Sequence, residues 1–331
     1  MKKILITGLY GFLGDKFRQY LEFRNVRSTD YNEHPERVLY EIAAPDKKLN
    51  DDFTRDIKRF NFEHIRNIKQ YKLEGVDHVF HLAARVSVTD SWDKPFEYYS
   101  DNVMGTVNVL EFCRKTGTSM TYINSYPYGM PQYLPIDENH PINPNSPYNH
   151  SKQMGEEVCA FYAKNYGVNV TVLRLFNVYG VFQSEDFIIS KIVKQSLDSD
   201  SKFIKVDNIE PKRDYVYIAD VVRAMEKTIE LKGYNVYNIG SGKSYSVKEL
   251  CDIAIDLKPE KMIFSENKKR KNEIDNIVAD ISKAKKELDW EPETDIEQGI
   301  GRTIVFTLQD KVERAGEGRF GYMRMPICEF S

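Results

Sequence analysis

The chain has 331 residues, 41% hydrophobic and 29% charged, enough for a full core and about two domains at the usual ~150 residues each. Its formal net charge of -3 lacks the basic excess that nucleic acid or an anionic membrane surface selects, so neither is an expected partner. The four cysteines, Cys113, Cys159, Cys251 and Cys328, stand far apart without CxxC or Cys/His spacing, which argues against a zinc site and a disulfide framework.

The first residues show no secretory h-region, and no apolar run is long enough to span a bilayer, so a cytoplasmic protein with reduced thiols is expected. Lys3 to Thr7 is a compact β run. Asp15 to Phe23 then sets Phe17, Tyr20 and Leu21 at helical spacing, and Asp77 to Leu82 is strand-like again. Helical stretches at Tyr98 to Lys115 and Ser151 to Tyr166 are followed by the apolar runs Met120 to Ile123 and Val170 to Phe176. This alternation predicts βαβ units and a parallel sheet of six or seven strands. After Asn177 the pattern loosens into a polar loop at Gln183 to Asp186, a helix near Phe187 to Leu197 and a strand at Tyr237 to Gly240. The tail, 312–331, has weak periodicity and is assigned no element.

The segment Thr7 to Gly14 lies between a strand and a helix, the context a phosphate-binding turn needs. Gly8 permits the tight turn, Gly11 lets the backbone approach a pyrophosphate, and Gly14 allows close packing of helix on strand, with Phe12 and Leu13 between them also expected at the cofactor. Asp30 ends the next candidate strand, Val26 to Thr29, where a carboxylate accepts from the adenosine ribose and repels a 2'-phosphate, favouring NAD over NADP. A solvated turn aspartate is the alternative. The expected architecture is α/β. A Rossmann-type doubly wound parallel sheet occupies 1–178, with 213–242 folding back onto it, and a smaller C-terminal substrate-binding domain takes most of 179–331.

Tyr148 and Lys152, in Ser146-Pro147-Tyr148-Asn149-His150-Ser151-Lys152, fall at i and i+4 on one face of a helix entered through proline. A phenol with its ordinary pKa near 10 is a poor base at neutral pH, and a neighbouring ammonium is expected to bring it toward the working range.

The chain resembles an extended short-chain dehydrogenase/reductase of the NAD-dependent epimerase/dehydratase family, which acts on nucleotide sugars. The likeness runs from Lys3 to about Thr303, through TGLYGFLG at 7–14, HLAA at 81–84, DNVMGT around Asn102, YNHSK at 148–152, LRLFNVYG at 173–180, KRDYVYIAD at 212–220 and NIGSG at 238–242. It implies that Asp56 and Ile57 lie beside the adenine, that Leu82, Ala83, Ala84 and Asn102 line the dinucleotide, and that Lys152 also holds the nicotinamide ribose. By the same likeness Ser87 and Asn177 meet the substrate, and Arg213 and Arg270 grip the nucleotide diphosphate, a task suited to a guanidinium fork. Simpler roles stay open for three of these: a turn for Asn177, a pair with Asp214 for Arg213, and a helix cap for Asp56. The resemblance also implies a homodimer formed through the helices at Phe96 to Lys115 and Lys152 to Tyr166.

One position departs from the family. Its serine or threonine four residues before the tyrosine of the YG motif is here Asn124, with Ser125 one place later and, by strand alternation, on the other face. Either Ser125 shifts in, or the Asn124 amide donates in place of a hydroxyl, or the site is weakened. Where the family's 4,6-dehydratases carry an Asp-Glu pair after the hydroxyl, this chain has Ser125 and Tyr126, which argues against dehydratase and decarboxylase chemistry. The expected activity is NAD-dependent epimerisation at C4 of a nucleotide-diphosphate hexose through a transient keto-sugar. The alternatives are a nucleotide keto-sugar reductase and a non-catalytic subunit that binds NAD or nucleotide sugar. No metal is expected.

Overall fold

A computed structural model describes residues 3–9, 11–27, 39–42, 75–266, 268 and 273–316. The strand-forming runs Ile4–Thr7 (β1), Leu39–Ile42 (β2), His78–His81 (β3), Ser119–Ser125 (β4) and Val170–Leu175 (β5) pair in parallel, and Tyr234–Ile239 (β9) completes the order β2-β1-β3-β4-β5-β9. Every residue of β1, β3 and β5 is buried, as a parallel sheet covered on both faces requires. This is the doubly wound α/β sheet expected, with six strands among the described residues. It belongs to the first of two units, Met1–Gly129 with Pro141–Leu175 and Val222–Tyr237; the second comprises Met130–His140, Phe176–Val221 and Asn238–Ser331.

Helix α1, Phe12–Arg27, leaves the glycine turn. No glycine or proline follows Gly14 before Thr29, so the helix continues through Val26 and Arg27, where a strand was expected. The strand paired with β1 on this flank is instead Leu39–Ile42. The single helix expected at Tyr98 to Lys115 is three pieces: α3 (Pro95–Tyr99), a π-helical turn at Ser100–Met104 and α4 (Gly105–Thr116), preceded by the short α2 (Val88–Asp93). Helix α5, Pro147–Tyr166, begins at the N-cap Ser146, whose hydroxyl accepts from Asn149 N at 3.1 Å, with Pro147 in the first turn. Gly117 and Gly167, at φ 73° and 70°, end α4 and α5 in the left-handed conformation that stops a helix.

Val109, Phe112 and Cys113 of α4 and Cys159 of α5 pack on Leu5, Val79, Met120, Val170 and Val172 of the sheet. Burial pushes the Cys113 and Cys159 thiols well up, leaving them protonated and inert.

In the second unit, Lys212–Tyr217 (β8) lies between Asn177–Tyr179 (β6), parallel, and Ser244–Ser246 (β10), antiparallel, while Phe203–Val206 (β7) pairs in parallel with Met262–Ser265 (β11). Helices α6 (Ile188–Ser196), α8 (Val247–Asp256), α9 (Ser282–Leu288) and α10 (Ile296–Gly316) accompany them, and α7 (Ile218–Lys227) runs from this unit into the first. The tail assigned no element contributes residues 312–316 to α10, and 317–331 lie outside the described residues. Asp220 fastens the stretch before α10: its carboxylate accepts from Glu293 N and Thr294 N at 3.1 and 3.3 Å, and its carbonyl from Trp290 Nε1 at 2.9 Å. Among the described residues no helix is long and apolar enough to cross a membrane, and no group of His, Cys, Asp and Glu is placed to hold a metal.

Candidate active site

The glycine turn is shaped by contacts that exclude side chains. Gly8 has φ 77°, and a Cβ there would stand 2.8 Å from Ala83 N. A Cβ on Gly14 would stand 2.8 Å from Leu9 Cα. Gly11 N donates to Gly8 O at 3.0 Å, closing the turn before Phe12 and Leu13 enter α1. Two hydrogen bonds to Thr7 hold the end of β3 alongside: Leu82 N reaches its carbonyl and Ala83 N its hydroxyl, both at 3.1 Å. A helix N-terminus with its first N–H groups outside the helical ladder, reached through a turn that begins at Gly8 and closes at Gly11, fits a dinucleotide diphosphate.

Beneath this turn His81 joins β1 to α4, with Nδ1 2.8 Å from Thr7 Oγ1 and Nε2 3.1 Å from Thr106 Oγ1. Burial, and then the charge of Lys152, lower its pKa to about 3, so the ring is a neutral strut. Asn102, in the π-helical turn, is engaged on both sides of its amide. Its oxygen accepts from Arg85 N at 2.8 Å, and its nitrogen donates to Ser151 Oγ at 2.9 Å and Arg85 O at 3.2 Å. Asn102 therefore ties the segment after Ala84 to α5, next to the residues expected to line the dinucleotide. Ser87 is exposed and caps α2, its hydroxyl accepting from Asp90 N at 3.1 Å.

Tyr148 and Lys152 stand one turn apart on α5. Lys152 is buried, with Nζ 4.2 Å from the centre of the Tyr122 ring, while the Tyr122 hydroxyl donates to Lys152 O at 2.9 Å. Burial lowers the Lys152 ammonium to about 7, although Glu156 pulls it upward. Burial likewise raises the Tyr148 phenol, and a hydrogen bond from Ser125 draws it part of the way back. The ammonium expected to bring the phenol down stands one helical turn from it, and burial sets the direction of the Tyr148 shift.

Ser125, the last residue of β4, is the hydroxyl beside Tyr148, and its Oγ lies 3.4 Å from Asn149 Oδ1. Ser125 still pairs with Leu175 at the last position of the β4–β5 ladder. Asn124 is buried and occupied: Nδ2 donates to Glu156 Oε2 at 2.5 Å, and Oδ1 accepts from Ser125 N at 2.8 Å. One hydrogen of the Asn124 amide nitrogen is thus engaged by Glu156. Glu156 lies one turn beyond Lys152 and forms a buried ion pair with Arg174, whose Nη1 also donates to the Tyr128 hydroxyl at 2.9 Å. Neither charge was singled out in the sequence, where a lone Glu in a helix reads as solvated. The spacing Tyr148, Lys152, Glu156, at i, i+4 and i+8, was the available signal.

In the second unit, Asn177 is exposed and donates through Nδ2 to Asp214 O at 3.0 Å. Arg213 Nη1 donates to Ile274 O at 2.6 Å and Lys212 O at 2.8 Å. Asp214 does not pair with it. The buried Asp214 carboxylate accepts from Ser241 N and Oγ at 2.6 and 2.8 Å and from Gly242 N and Ala279 N at 3.0 Å each. Burial pushes this carboxyl up to about 6 against the pull of those donors. A Cβ on Gly240 would lie 2.9 Å from Asp214 Oδ2. Asp30, Asp56, Ile57 and Arg270 lie outside the described residues.

A family model described as GDP-mannose 4,6 dehydratase matches residues 5–303. A putative UDP-glucose 4-epimerase of Methanocaldococcus jannaschii is 34% identical, the match covering 91% of this chain and 97% of that one. The chain belongs to the NAD-dependent epimerase/dehydratase family of extended short-chain dehydrogenases/reductases. Among solved structures, the UDP-glucose 4-epimerase of Thermotoga maritima with UDP-glucose superposes with a TM-score of 0.81 at 27% identity, covering 93% of this chain and 99% of that one. MoeE5 in complex with UDP-glucose and NAD superposes at 0.77 and 26%, with the same coverage. The family model carries a dehydratase's description and two of these relatives an epimerase's, so membership establishes nucleotide-sugar chemistry and leaves the reaction to the residues of the site.

Proposed function

We propose that the protein is an NAD-dependent epimerase acting at C4 of a nucleotide-linked hexose. The observation that carries the reading is Tyr148 and Lys152 one turn apart on α5, with Ser125 at the end of β4 reaching Asn149 of the same helix and no carboxyl after it. The next residues are Tyr126, whose hydroxyl donates to Gly129 O at 2.8 Å, and Pro127. Elimination of water needs a further acid and base at the substrate; epimerisation needs only a group that takes and returns one proton. The relatives described as UDP-glucose 4-epimerases support C4 and a uridine carrier.

In this reading the glycine turn and α1 hold the NAD diphosphate, with Leu82, Ala83 and Ala84 along it. Bound NAD supplies the reversible oxidation of the C4 carbinol. Tyr148 Oη takes the C4 hydroxyl proton and returns it, and Ser125 Oγ orients that hydroxyl. Lys152 keeps positive charge near the phenol. Asn177 and Arg213 serve the sugar and the diphosphate. A second copy is expected against α3, α4 and α5, where Phe96 of α3 (79% exposed) and Phe161 and Tyr166 of α5 present aromatic surface.

Mass spectrometry of ligand released from purified protein, followed by proton NMR of UDP-glucose and UDP-galactose incubations, tests the reading. Interconversion without net NADH change is expected. One-for-one oxidation of NADH by a keto-sugar identifies a reductase instead, and release of NADP without NAD removes the cofactor assignment.

A further inference from the structure

We infer that Asn124 is a positioning residue that couples the buried Glu156–Arg174 ion pair to the Ser125 hydroxyl, moving the site's hydroxyl one place along β4. The inference rests on the epimerase reading for its kinetic consequence and on the ligand-free geometry for its structural one. Asn124 and Arg174 are direct partners in the parallel ladder of β4 and β5, so they emerge side by side on the sheet. Both reach one carboxylate. Arg174 Nε lies 3.2 Å from each oxygen of Glu156, and its Nη2 reaches Oε1 at 2.5 Å. Tyr128 holds the far side of the guanidinium.

This anchored carboxylate decides how Asn124 lies. A carboxylate accepts only, so the amide must offer Nδ2 to Glu156, and Oδ1 is then left facing the Ser125 N–H that it accepts. The amide thereby engages the Ser125 peptide at the last ladder position of β4, where Ser125 pairs with Leu175. The Ser125 hydroxyl then meets α5 at its first turn, donating to Asn149 Oδ1 at 3.4 Å next to Tyr148. Tyr148 and Glu156 sit on the same helix, so the chain of contacts from Arg174 through Glu156, Asn124 and Ser125 closes back onto α5 at Tyr148. A serine or threonine at 124 has one oxygen on a shorter stem. It cannot span Glu156 and Ser125 N together, so the amide is tied to the displaced hydroxyl.

The test compares Ser125→Ala, Asn124→Ser and the double variant, reading kinetics on the nucleotide sugar the wild type turns over. A second readout is the Cζ resonance of Tyr148 in ligand-free, tyrosine-labelled protein, assigned with Tyr148→Phe. Ser125→Ala is expected to lower kcat by about 10² to 10³ at little-changed KM, the range seen for loss of one positioned donor. Asn124→Ser, although it restores the family's residue, is expected to lower kcat at least about tenfold, again sparing KM. Both are expected to move the Tyr148 resonance in the same direction. Asn124→Ser at or above wild-type kcat with Ser125→Ala silent in that background overturns the inference, as does an unmoved Tyr148 resonance in Asn124→Ser. Absence of epimerisation by the wild type, with the resonance pattern as expected, removes the epimerase reading and leaves the positioning role standing.

Discussion

Replacing Lys152 by Met separates what the lysine does for the reaction from what its burial does to the fold. Burial lowers its pKa from 10.5 to about 7. Below pH 7 the folded and unfolded chains both carry the proton, and folding bears a penalty of about 5 kcal/mol at 1.36 kcal/mol per pKa unit. Between pH 7 and 10.5 the unfolded chain binds a proton that the folded chain has released. Wild-type stability therefore rises with pH in that window, and the penalty falls to about 2 kcal/mol near pH 9. The Tyr122 ring, 4.2 Å from Nζ, returns about 1–2 kcal/mol to the charged form. Met retains most of the apolar stem. Lys152→Met is thus expected to be more stable than wild type by about 3–4 kcal/mol near pH 6, where the ring offsets part of the penalty, and by about 2 kcal/mol near pH 9, where the folded lysine is neutral, while losing about 10² or more in turnover. Urea unfolding of the ligand-free proteins across that pH range, with turnover measured in parallel, checks both. A stability difference that is the same at every pH would refute the reasoning.

Gly155→Ala sets a Cβ 3.0 Å from Tyr122 Cζ and drives the phenol off Lys152 O; a loss of about 1–3 kcal/mol and a fall in kcat are expected, and an unchanged melting temperature would count against it. Glu156→Gln leaves the Arg174 guanidinium buried beside a neutral amide, for an expected loss of about 3–5 kcal/mol in denaturant unfolding; a loss under 1 kcal/mol would mean that water reaches the pair. Gly8→Ala strains a turn at φ 77° and pushes against Ala83 N, so the NAD recovered with the purified protein is expected to drop at least about tenfold while the fold persists. Wild-type NAD content in that variant would detach the turn from the cofactor.

The alternation of strand and helix, and the sheet it predicts, were legible because buried parallel strands are continuous apolar runs whose type depends little on their neighbours. Boundaries set by long-range packing were not. Val26 and Arg27 read as strand from composition yet complete the last turn of α1, and the π-helical turn at Ser100–Met104 interrupts a stretch whose periodicity is helical throughout. The two small sheets of the second unit escaped notice because β6 and β10 are three residues long, too short for alternation to register. Tyr148 and Lys152 were visible because their relation lies within one helix. The placing of Ser125 depends on where β4 stops and on a carboxylate 31 residues away, and neither is a local property.

The motifs that made the family recognisable are unequal as statements about chemistry. Asp214 of KRDY, Gly240, Ser241 and Gly242 of NIGSG, and Ala279 of VAD converge on one buried carboxylate, while Asp220 of YIAD grips the segment around Trp290. These residues hold loops of the second unit in place, and a dehydratase, an epimerase or a reductase needs that equally. The same holds for Glu156 and Arg174, whose pair stabilises β5 against α5 whatever is bound. In the proposed epimerase reading, what distinguishes the reaction lies at the end of β4, where Asn124, Ser125 and Tyr126 supply an amide, a hydroxyl and a phenol turned onto its own loop, and no carboxyl. A change at these three positions alters the chemistry at small expense to the fold, provided the amide of Asn124 or an equivalent still bridges Glu156 to the peptide that follows.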